Sequence, residues 1–207
     1  MNKSIVYLIC LMVLLFIGIT GCGPQDEMRT LPYTRYVESY DGARVPVPDH
    51  PKRILALSSA SDTILLGLVE PDRLVGINTL STYEEYSLEA KRAKLVKPAM
   101  SSYPLEKIIA LEPDLVIAPD YTSADVIAGL RHMGIPTVVV PTGTTVESVI
   151  KNVTDIAHIV GEDEKGQFYE QKISRELEQM KRLGTSIPLN QRKSVLFVSS
   201  MDGYTGT

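Results

Sequence analysis

The fold is decided by the stretch LEKIIALEPDLVI, which occupies residues 105–117 of the 207-residue chain. Residues 105–111 are predicted to be a short helix, because Pro104 stands at their start and Pro113 follows them. Residues 114–118 are predicted to be a strand, because an unbroken apolar run is typical of a strand buried on both faces. A helix followed directly by such a strand indicates an α/β fold with a parallel sheet.

The same alternation continues on both sides of this stretch. Short apolar runs predict further strands at residues 54–57, 74–77 and 137–140, and helices are predicted at residues 59–68, 83–93, 122–134, 144–160 and 162–183. Ser59 or Ser61 is the predicted N-cap of the first helix. A β-hairpin is predicted over residues 36–48 around Asp41-Gly42. The long last helix is predicted to bury an apolar stripe of Phe168, Ile173, Leu177, Met180 and Leu183.

The composition is that of an ordinary globular protein, with 44% apolar and 22% charged residues. A disordered or low-complexity chain is therefore excluded. The formal net charge is -4, from 21 basic and 25 acidic residues, and no basic stripe is present. We therefore expect no nucleic-acid partner. The only two cysteines, Cys10 and Cys22, lie at the N-terminus and are too few for a disulfide framework.

Residues 1–21 are predicted to be a secretion signal. Their apolar run, residues 5–19, is shorter than the roughly 20 residues that a membrane-spanning helix needs. Residues 19–22, at the end of this run, read ITGC. They resemble the bacterial lipobox, and the resemblance implies that Cys22 is acylated as the mature N-terminus. The alternative is a coincidental cysteine at the end of an ordinary signal. We expect a lipid-anchored, extracytoplasmic protein whose residues 22–36 form a tether to the membrane.

Three segments carry a resemblance to a known family: PKRILALS at residues 51–58, RLVG at residues 73–76 and LEKIIALEPDLVI at residues 105–117. In order and spacing they resemble the substrate-binding lipoproteins of iron-siderophore, haem and cobalamin ABC importers. The resemblance implies two α/β lobes that are joined by one long rigid helix and hold the ligand in the cleft between them.

The resemblance also implies a division of this chain. Residues 37–160 would form the N-terminal lobe, residues 161–187 the connecting helix, and residues 193–207 the start of a C-terminal lobe. That start would comprise a strand at residues 195–198 and a loop at residues 201–207. The second lobe is therefore expected to be truncated after its first strand.

One surface residue receives a role from the resemblance. In the family, an acidic residue at the position of Glu106 docks against the transporter permease. Glu106 falls in the first turn of a predicted helix, where the helix dipole favours a negative charge. The alternative is that Glu106 only supports the helix terminus.

Candidate ligand contacts follow from the predicted sheet, because ligands of parallel sheets bind at the carboxyl ends of the strands. Tyrosines there could stack on a planar ligand. Alternatively, they could pack on neighbouring loops, and Tyr83 and Tyr121 are the stronger candidates. The full candidate set is Ser58, Ser59, Tyr83, Tyr86, Tyr103, Tyr121 and, in the second-lobe loop, Tyr204.

The sequence predicts neither a catalytic site nor a cofactor. His50, His132 and His158 lie away from the predicted strand ends, so we expect no protein-bound metal, and no nucleophile elbow or phosphate loop occurs. We expect a monomeric receptor, not an enzyme, which captures an iron chelate or a corrinoid and delivers it to an ABC permease. The alternatives are a membrane-tethered hydrolase-like enzyme and a ligand-sensing interaction lobe. Ligand identity is left open, since the chain has neither an arginine cluster nor a tryptophan.

Overall fold

The computed structural model describes residues 35–195 and the backbone of residues 199–201 and 204–206. The predictions for residues 1–34, including the signal, Cys22 and most of the tether, lie outside the described residues. The strands are β1 (Arg35–Glu38), β2 (Arg44–Val47), β3 (Ile54–Ala56), β4 (Ile77–Asn78), β5 (Ala99–Met100), β6 (Leu115–Pro119), β7 (Thr137–Val140), β8 (Ser199–Met201) and β9 (Tyr204–Gly206). The α-helices are α1 (Ser59–Leu68), α2 (Ala90–Ala93), α3 (Leu105–Ala110), α4 (Ala124–His132), α5 (Val146–Val160) and α6 (Asp163–Ser186).

A parallel sheet forms the centre of the described residues, which confirms the predicted α/β fold. Its strands run in the order β3-β6-β7, with Ile54 opposite Leu115 and Val116 opposite Thr137. Strands β4 and β5 form a second parallel pair. Leu74, just before β4, makes a parallel bridge with Ile54, so this pair lies beside β3.

Both faces of the sheet are covered, as continuous apolar strands require. On one face, Ile54 and Leu115 pack with apolar residues of the β1–β2 hairpin, α1 and α5. On the other face, Leu55 and Val116 pack with residues of α3 and α4. Alternate residues of each strand thus enter different cores, because successive side chains of a strand point to opposite faces.

The segments that carry the family resemblance are hydrogen-bonded to one another where β3 and β6 begin. The Asp114 carboxylate accepts the backbone N–H of Lys52 at 2.7 Å and that of Arg53 at 2.9 Å. The Arg53 guanidinium in turn donates to the carbonyls of Leu111 at 2.6 Å and Glu112 at 2.7 Å. This part of the motif therefore holds the two strands in register at the edge opposite the candidate ligand contacts.

The predicted hairpin is confirmed, but it begins at Arg35, so the predicted tether is two residues too long at its C-terminal end. The hairpin is attached to the sheet through its turn. The Arg131 guanidinium donates to the Asp41 carboxylate at 2.7 Å, and the Ser39 hydroxyl accepts the N–H of Val139 at 2.8 Å. The hydrogen bond from Arg131 lowers the pKa of Asp41 to about 2.

The long helix predicted from residue 162 is α6, and it contacts the rest of the chain through its first two turns. Gly166 lies so close to α5 that an added Cβ would stand 2.5 Å from the Cβ of Ala157. The Tyr169 hydroxyl donates to the carbonyl of Gly67 at 3.3 Å. Farther along, Met180 and Leu183 are exposed, as is Phe168 near its start. The predicted buried stripe is therefore wrong for these three residues; no described element packs on the helix at Met180 and Leu183.

The C-terminal segment also differs from its prediction. Strands β8 and β9 form an antiparallel pair with Met201 opposite Tyr204, whereas a loop was predicted over residues 201–207. The strand predicted at residues 195–198 falls largely outside the described residues. Within residues 35–195, no helix combines the length and the apolar character that crossing a membrane requires.

Candidate functional site

The carboxyl ends of the parallel strands lie at one edge of the sheet. We define the carboxyl-edge loops as residues 57–58 after β3, 79–89 after β4, 101–104 after β5, 120–123 after β6 and 141–145 after β7. All the candidate ligand residues of the first lobe lie in these loops or directly beside them. The fold therefore brings to one edge side chains that are up to 63 positions apart in the sequence, from Ser58 to Tyr121.

The two candidate serines differ in what their hydroxyl groups contact. Ser58 is the N-cap of α1: its buried hydroxyl accepts the N–H of Ser61 at 3.2 Å and donates to the Ser61 hydroxyl at 3.0 Å. The predicted cap at Ser59 or Ser61 is therefore wrong, because the helix already begins at Ser59, three residues after the last residue of β3, and the cap falls on Ser58. Ser59 is half-buried, and its carbonyl accepts a hydrogen bond from Thr63. A ligand contact by either serine stays a prediction.

Tyr83 and Tyr86 lie together in the loop after β4. Their rings are 6.4 Å apart at an angle of 83°, an edge-to-face pair, and both side chains are exposed. The helix predicted over residues 83–93 is wrong for its first half, since only Ala90–Ala93 is helical. The preceding residues instead form turns, in which Tyr83 accepts the N–H groups of Tyr86 and Ser87 through its carbonyl.

Tyr103 and Tyr121 occupy the next two loops and differ in burial. Tyr121 is 72% exposed, whereas Tyr103 is half-buried against the apolar core between the sheet, α3 and α4. The Tyr103 hydroxyl is buried. Burial raises the pKa of Tyr103 and the nearby charge of Asp62 raises it further, which a hydrogen bond with the Asn78 side chain opposes only in part, so the hydroxyl stays protonated.

Asp62 is a buried carboxylate at this edge that the sequence interpretation missed. Its side chain is 1% exposed, and Oδ2 accepts the N–H of Asn78 at 2.7 Å and the hydroxyl of Ser81 at 2.9 Å. Oδ1 is buried without a hydrogen-bond partner in the described part of the chain. Burial raises the pKa of Asp62 to about 7, which the two hydrogen bonds only partly oppose.

The spacing along α1 contained a signal for this burial. Residues 62, 65 and 66 lie on one face of a helix, and Leu65 and Leu66 are apolar and buried. An acidic residue in the first helical turn is instead usually a solvated partner of the helix dipole. The tertiary role of Asp62 is to hold the start of the loop after β4 against α1.

The loops after β6 and β7 are joined by a carboxylate. Asp120 accepts the Thr142 hydroxyl at 2.6 Å and the Thr142 N–H at 3.0 Å. These hydrogen bonds lower the pKa of Asp120, so the group is ionised near neutral pH. A fixed negative charge therefore lies next to Tyr121 at the carboxyl edge.

Glu106 lies in the first turn of α3, where the sequence placed it. Its side chain is exposed and forms no hydrogen bond or ion pair with the described residues. Leu105 beside it packs toward α4, because an added Cβ on Gly129 would lie 3.1 Å from the Leu105 side chain. The helix is thus attached by its apolar neighbour, while Glu106 remains available at the surface.

The described residues contain no group of three or more histidine, cysteine, aspartate or glutamate side chains that could hold a metal ion. His158 pairs with Asp163 at 2.8 Å where α5 ends and α6 begins, outside the carboxyl-edge loops. Of the second-lobe candidate Tyr204, the structure describes the backbone within β9 alone. Its predicted ligand contact therefore lies outside the described side chains.

A parallel α/β sheet with aromatic and polar loops at its carboxyl edge defines the architecture of a binding-protein lobe. The chain belongs to the periplasmic binding protein family, since its residues 54–207 match that family. The resemblance seen in residues 51–58, 73–76 and 105–117 is thus confirmed at the level of the family. This is a family of binding proteins and not of enzymes.

Individual relatives agree with this assignment. The chain is 26% identical over 201 residues to the uncharacterized ABC transporter substrate-binding lipoprotein YvrC of Bacillus subtilis, covering 92% of this chain and 62% of the relative. It is 31% identical over 134 residues to the vitamin B12-binding protein of Vibrio campbellii, covering 63% of this chain and 46% of the relative. The chain therefore spans about half the length of these relatives.

A solved structure shares the fold. The periplasmic solute binding protein from Veillonella parvula superposes with a TM-score of 0.64 at 21% identity, covering 75% of this chain and 50% of that one. At this identity the likeness concerns the fold alone.

Proposed function

We propose that this chain is part of an extracytoplasmic substrate-binding lipoprotein that captures an iron chelate, haem or a corrinoid and delivers it to an ABC permease. The observation that carries the proposal is the set of exposed tyrosines, Tyr83, Tyr86 and Tyr121, on two carboxyl-edge loops of a family member. Aromatic faces at the mouth of a cleft bind large planar or apolar ligand surfaces. The vitamin B12-binding relative supports a ligand of this size class.

The attachment of α6 supports a receptor that closes little on its ligand. The first two turns of α6 pack on α5 and on Gly67, so the start of the helix is fixed to the sheet-bearing part of the chain. A continuous helix of 24 residues measures about 36 Å and resists bending. We infer that α6 connects this lobe to a second lobe and sets the width of the cleft.

Glu106 is the proposed contact with the permease. It is exposed, negatively charged and without a partner in the described residues, so it is free to pair with a basic side chain of another protein. The bidentate geometry of an arginine fits a carboxylate of this kind. Such docking involves the outside of the lobe and leaves the carboxyl-edge loops to the ligand.

The proposed membrane attachment is through acyl chains on Cys22, with residues 23–34 as a tether to a monomeric receptor. A Cys22→Ser protein should fail to incorporate radiolabelled palmitate and should leave the membrane fraction, whereas a Cys10→Ser protein should be labelled normally. Labelling of the Cys22→Ser protein would contradict the lipid anchor.

Ligand capture is tested by titrating the intact protein with haemin, cyanocobalamin and ferric siderophores and following intrinsic fluorescence. At least one ligand should bind with a Kd in the micromolar range or tighter. Tyr83→Ala and Tyr121→Ala should each weaken it about tenfold, while the exposed Tyr36→Ala on β1 should leave the affinity unchanged. Absence of binding to every ligand would overturn the proposed ligand class.

Docking is tested separately by uptake of the bound ligand into cells. Glu106→Arg should abolish uptake and leave the ligand affinity intact, because the charge reversal acts only at the permease. Glu147→Arg is the matched control, since Glu147 is also an exposed acidic residue in the first turn of a helix. A loss of ligand affinity in Glu106→Arg would place this residue in the cleft instead.

A further inference from the structure

Charge is distributed unevenly over the carboxyl-edge loops. Their residues include four carboxylates, Glu84, Glu85, Glu89 and Asp120, and no lysine, arginine or histidine. Beneath them lies the buried Asp62. The face that this lobe offers to a ligand therefore carries negative charge and hydroxyl groups, without a basic side chain in any of the five loops.

Two of the basic residues close to these loops are already paired. Lys94 lies 3.3 Å from Glu84, and Arg92 lies 3.4 Å from Glu70 and 3.9 Å from Glu89. Arg92 also donates to the carbonyl of Val69 at 3.0 Å. These contacts balance Glu84 and Glu89 and leave neither cation free to bind an anionic ligand.

Two carboxylates at the rim keep an unbalanced charge. Glu85 is exposed and has no partner among the described residues. Asp120 has only the hydroxyl and N–H of Thr142 as partners, which orient the carboxylate without neutralising it. Both belong to the same loops as the exposed tyrosines, so a ligand that stacks on Tyr83 or Tyr121 approaches a negative charge.

The buried Asp62 carboxyl beneath the rim also disfavours an anionic ligand. Asp62 Oδ1 is a buried acceptor without a partner in the described residues, and its other oxygen is bonded only by neutral donors. In its ionised form Asp62, which only neutral donors contact, adds negative charge beneath the rim and disfavours a carboxylate or phenolate on the ligand.

We propose that the ligand surface that meets this lobe is cationic or uncharged, such as a cationic or neutral trihydroxamate chelate or an uncharged corrinoid, and is not anionic. This inference rests on the proposed function and deepens it by selecting one charge class of ligand. A triscatecholate chelate or a haem with its carboxylates turned toward Asp120 and Glu85 would meet repulsion without a compensating cation.

The test uses matched ligands that differ only in charge. A ferric trihydroxamate with a free terminal amine is compared with its N-acetyl and N-succinyl forms, which are uncharged and anionic at that end. Cyanocobalamin is compared with its monocarboxylate, in which one side-chain amide is hydrolysed. Isothermal titration of the intact protein at low salt should show the succinyl chelate or the monocarboxylate binding at least tenfold more weakly than its uncharged partner. The difference should shrink at high salt because the charges are screened.

Variants test whether Glu85 and Asp120 cause the preference for ligand charge. The double variant Glu85→Gln, Asp120→Asn should reduce the discrimination between the amine and succinyl forms several-fold, while Asp72→Asn, before β4 at the opposite edge, should leave it unchanged. Anionic forms that bind as tightly as their uncharged partners would overturn the inference and leave the proposed function standing. Failure of both ligand series to bind would overturn the proposed ligand class and this inference with it.

Discussion

The Arg73 guanidinium donates to Oε1 of Glu162 at 2.6 Å, although the two residues are 89 positions apart. Arg73 also donates to the carbonyls of Pro51 at 2.9 Å and Val160 at 3.0 Å. Although partial burial acts in the opposite direction, hydrogen bonds from Lys165 and Arg73 lower the pKa of Glu162. One mostly buried side chain thus joins the strand region, the end of α5 and the start of α6.

Replacing Arg73 with Met should lower the free energy of unfolding by about 2–3 kcal/mol, because Glu162 keeps only Lys165 as a partner and two carbonyls lose the Arg73 donor in a partly buried place. Urea denaturation followed by circular dichroism measures this loss. Arg175→Met is the control, since Arg175 donates only to the carbonyl of Gln171 within its own helix. An equal loss in both variants would show that the contacts of Arg73 add nothing.

Gly161, between α5 and α6, should be the least replaceable glycine of the described residues. Its φ is +76°, and an added Cβ would lie 2.2 Å from the carbonyl oxygen of Asp49. Gly161→Ala should therefore cost more than 3 kcal/mol by thermal denaturation, from steric overlap in addition to backbone strain. Gly134→Ala is a matched control with φ +75° and open space around the Cβ, so it should cost only about 1 kcal/mol.

Asp62 predicts a pH dependence of stability with a definite sign. Its pKa of about 7 in the folded chain exceeds its ordinary value of 3.8, so folding favours the protonated form. Its stabilising contribution is complete below about pH 4 and is lost as the pH rises through 7. Relative to Asp62→Asn, the wild-type chain should lose about 2–4 kcal/mol of stability between pH 4 and pH 8 in urea titrations.

Asp41 provides the opposite case for the same measurement. Its pKa is lowered to about 2 by Arg131, so its contribution is present above about pH 4 and is lost as the pH falls toward 2. Asp41→Asn should therefore differ from wild type most at neutral pH and least in acid. If the stability difference between wild type and Asp62→Asn did not change with pH, the Asp62 carboxyl would have an ordinary pKa in the folded chain.

Asp114 should matter for stability and not for ligand binding. Asp114→Ala leaves the N–H groups of Lys52 and Arg53 without their acceptor, so the free energy of unfolding should fall by about 1–3 kcal/mol. Asp125→Ala, an exposed change in the first turn of α4, should cost less than 1 kcal/mol. Loss of ligand affinity in folded Asp114→Ala would contradict a structural role for this part of the motif.

The strands β3, β6 and β7 and most helices could be predicted because their apolar patterns are local. The runs at β3, β6 and β7 are long enough to identify buried strands, and proline and glycine mark their ends. The segment from Tyr83 to Glu89 has no apolar stripe, and it contacts α1, where the Thr63 and Ser87 hydroxyls lie 3.4 Å apart. Its conformation therefore could not be read from the segment itself.

The candidate site was predicted in its position and only partly in its composition. The predicted strand ends identified the loops of Tyr83, Tyr103 and Tyr121. Ligands of parallel sheets bind at the carboxyl ends of the strands, and these ends follow from the order of strands and helices alone. This rule could not distinguish the half-buried Tyr103 from the exposed Tyr121, nor find Asp62. Burial of each side chain depends on which neighbouring loop covers it.

The amino-acid sequence by itself determined the α/β architecture, the sheet edge at which the candidate residues lie and the family, because periodicity, prolines and the segment at residues 105–117 are properties of neighbouring residues. Only the tertiary structure decided that Asp62 is buried with an unpartnered oxygen, that Ser58 caps α1, and that Arg73 reaches Glu162. These features arise from contacts between distant parts of the chain, and burial changes the energy of a charge or hydroxyl in ways that no local pattern contains.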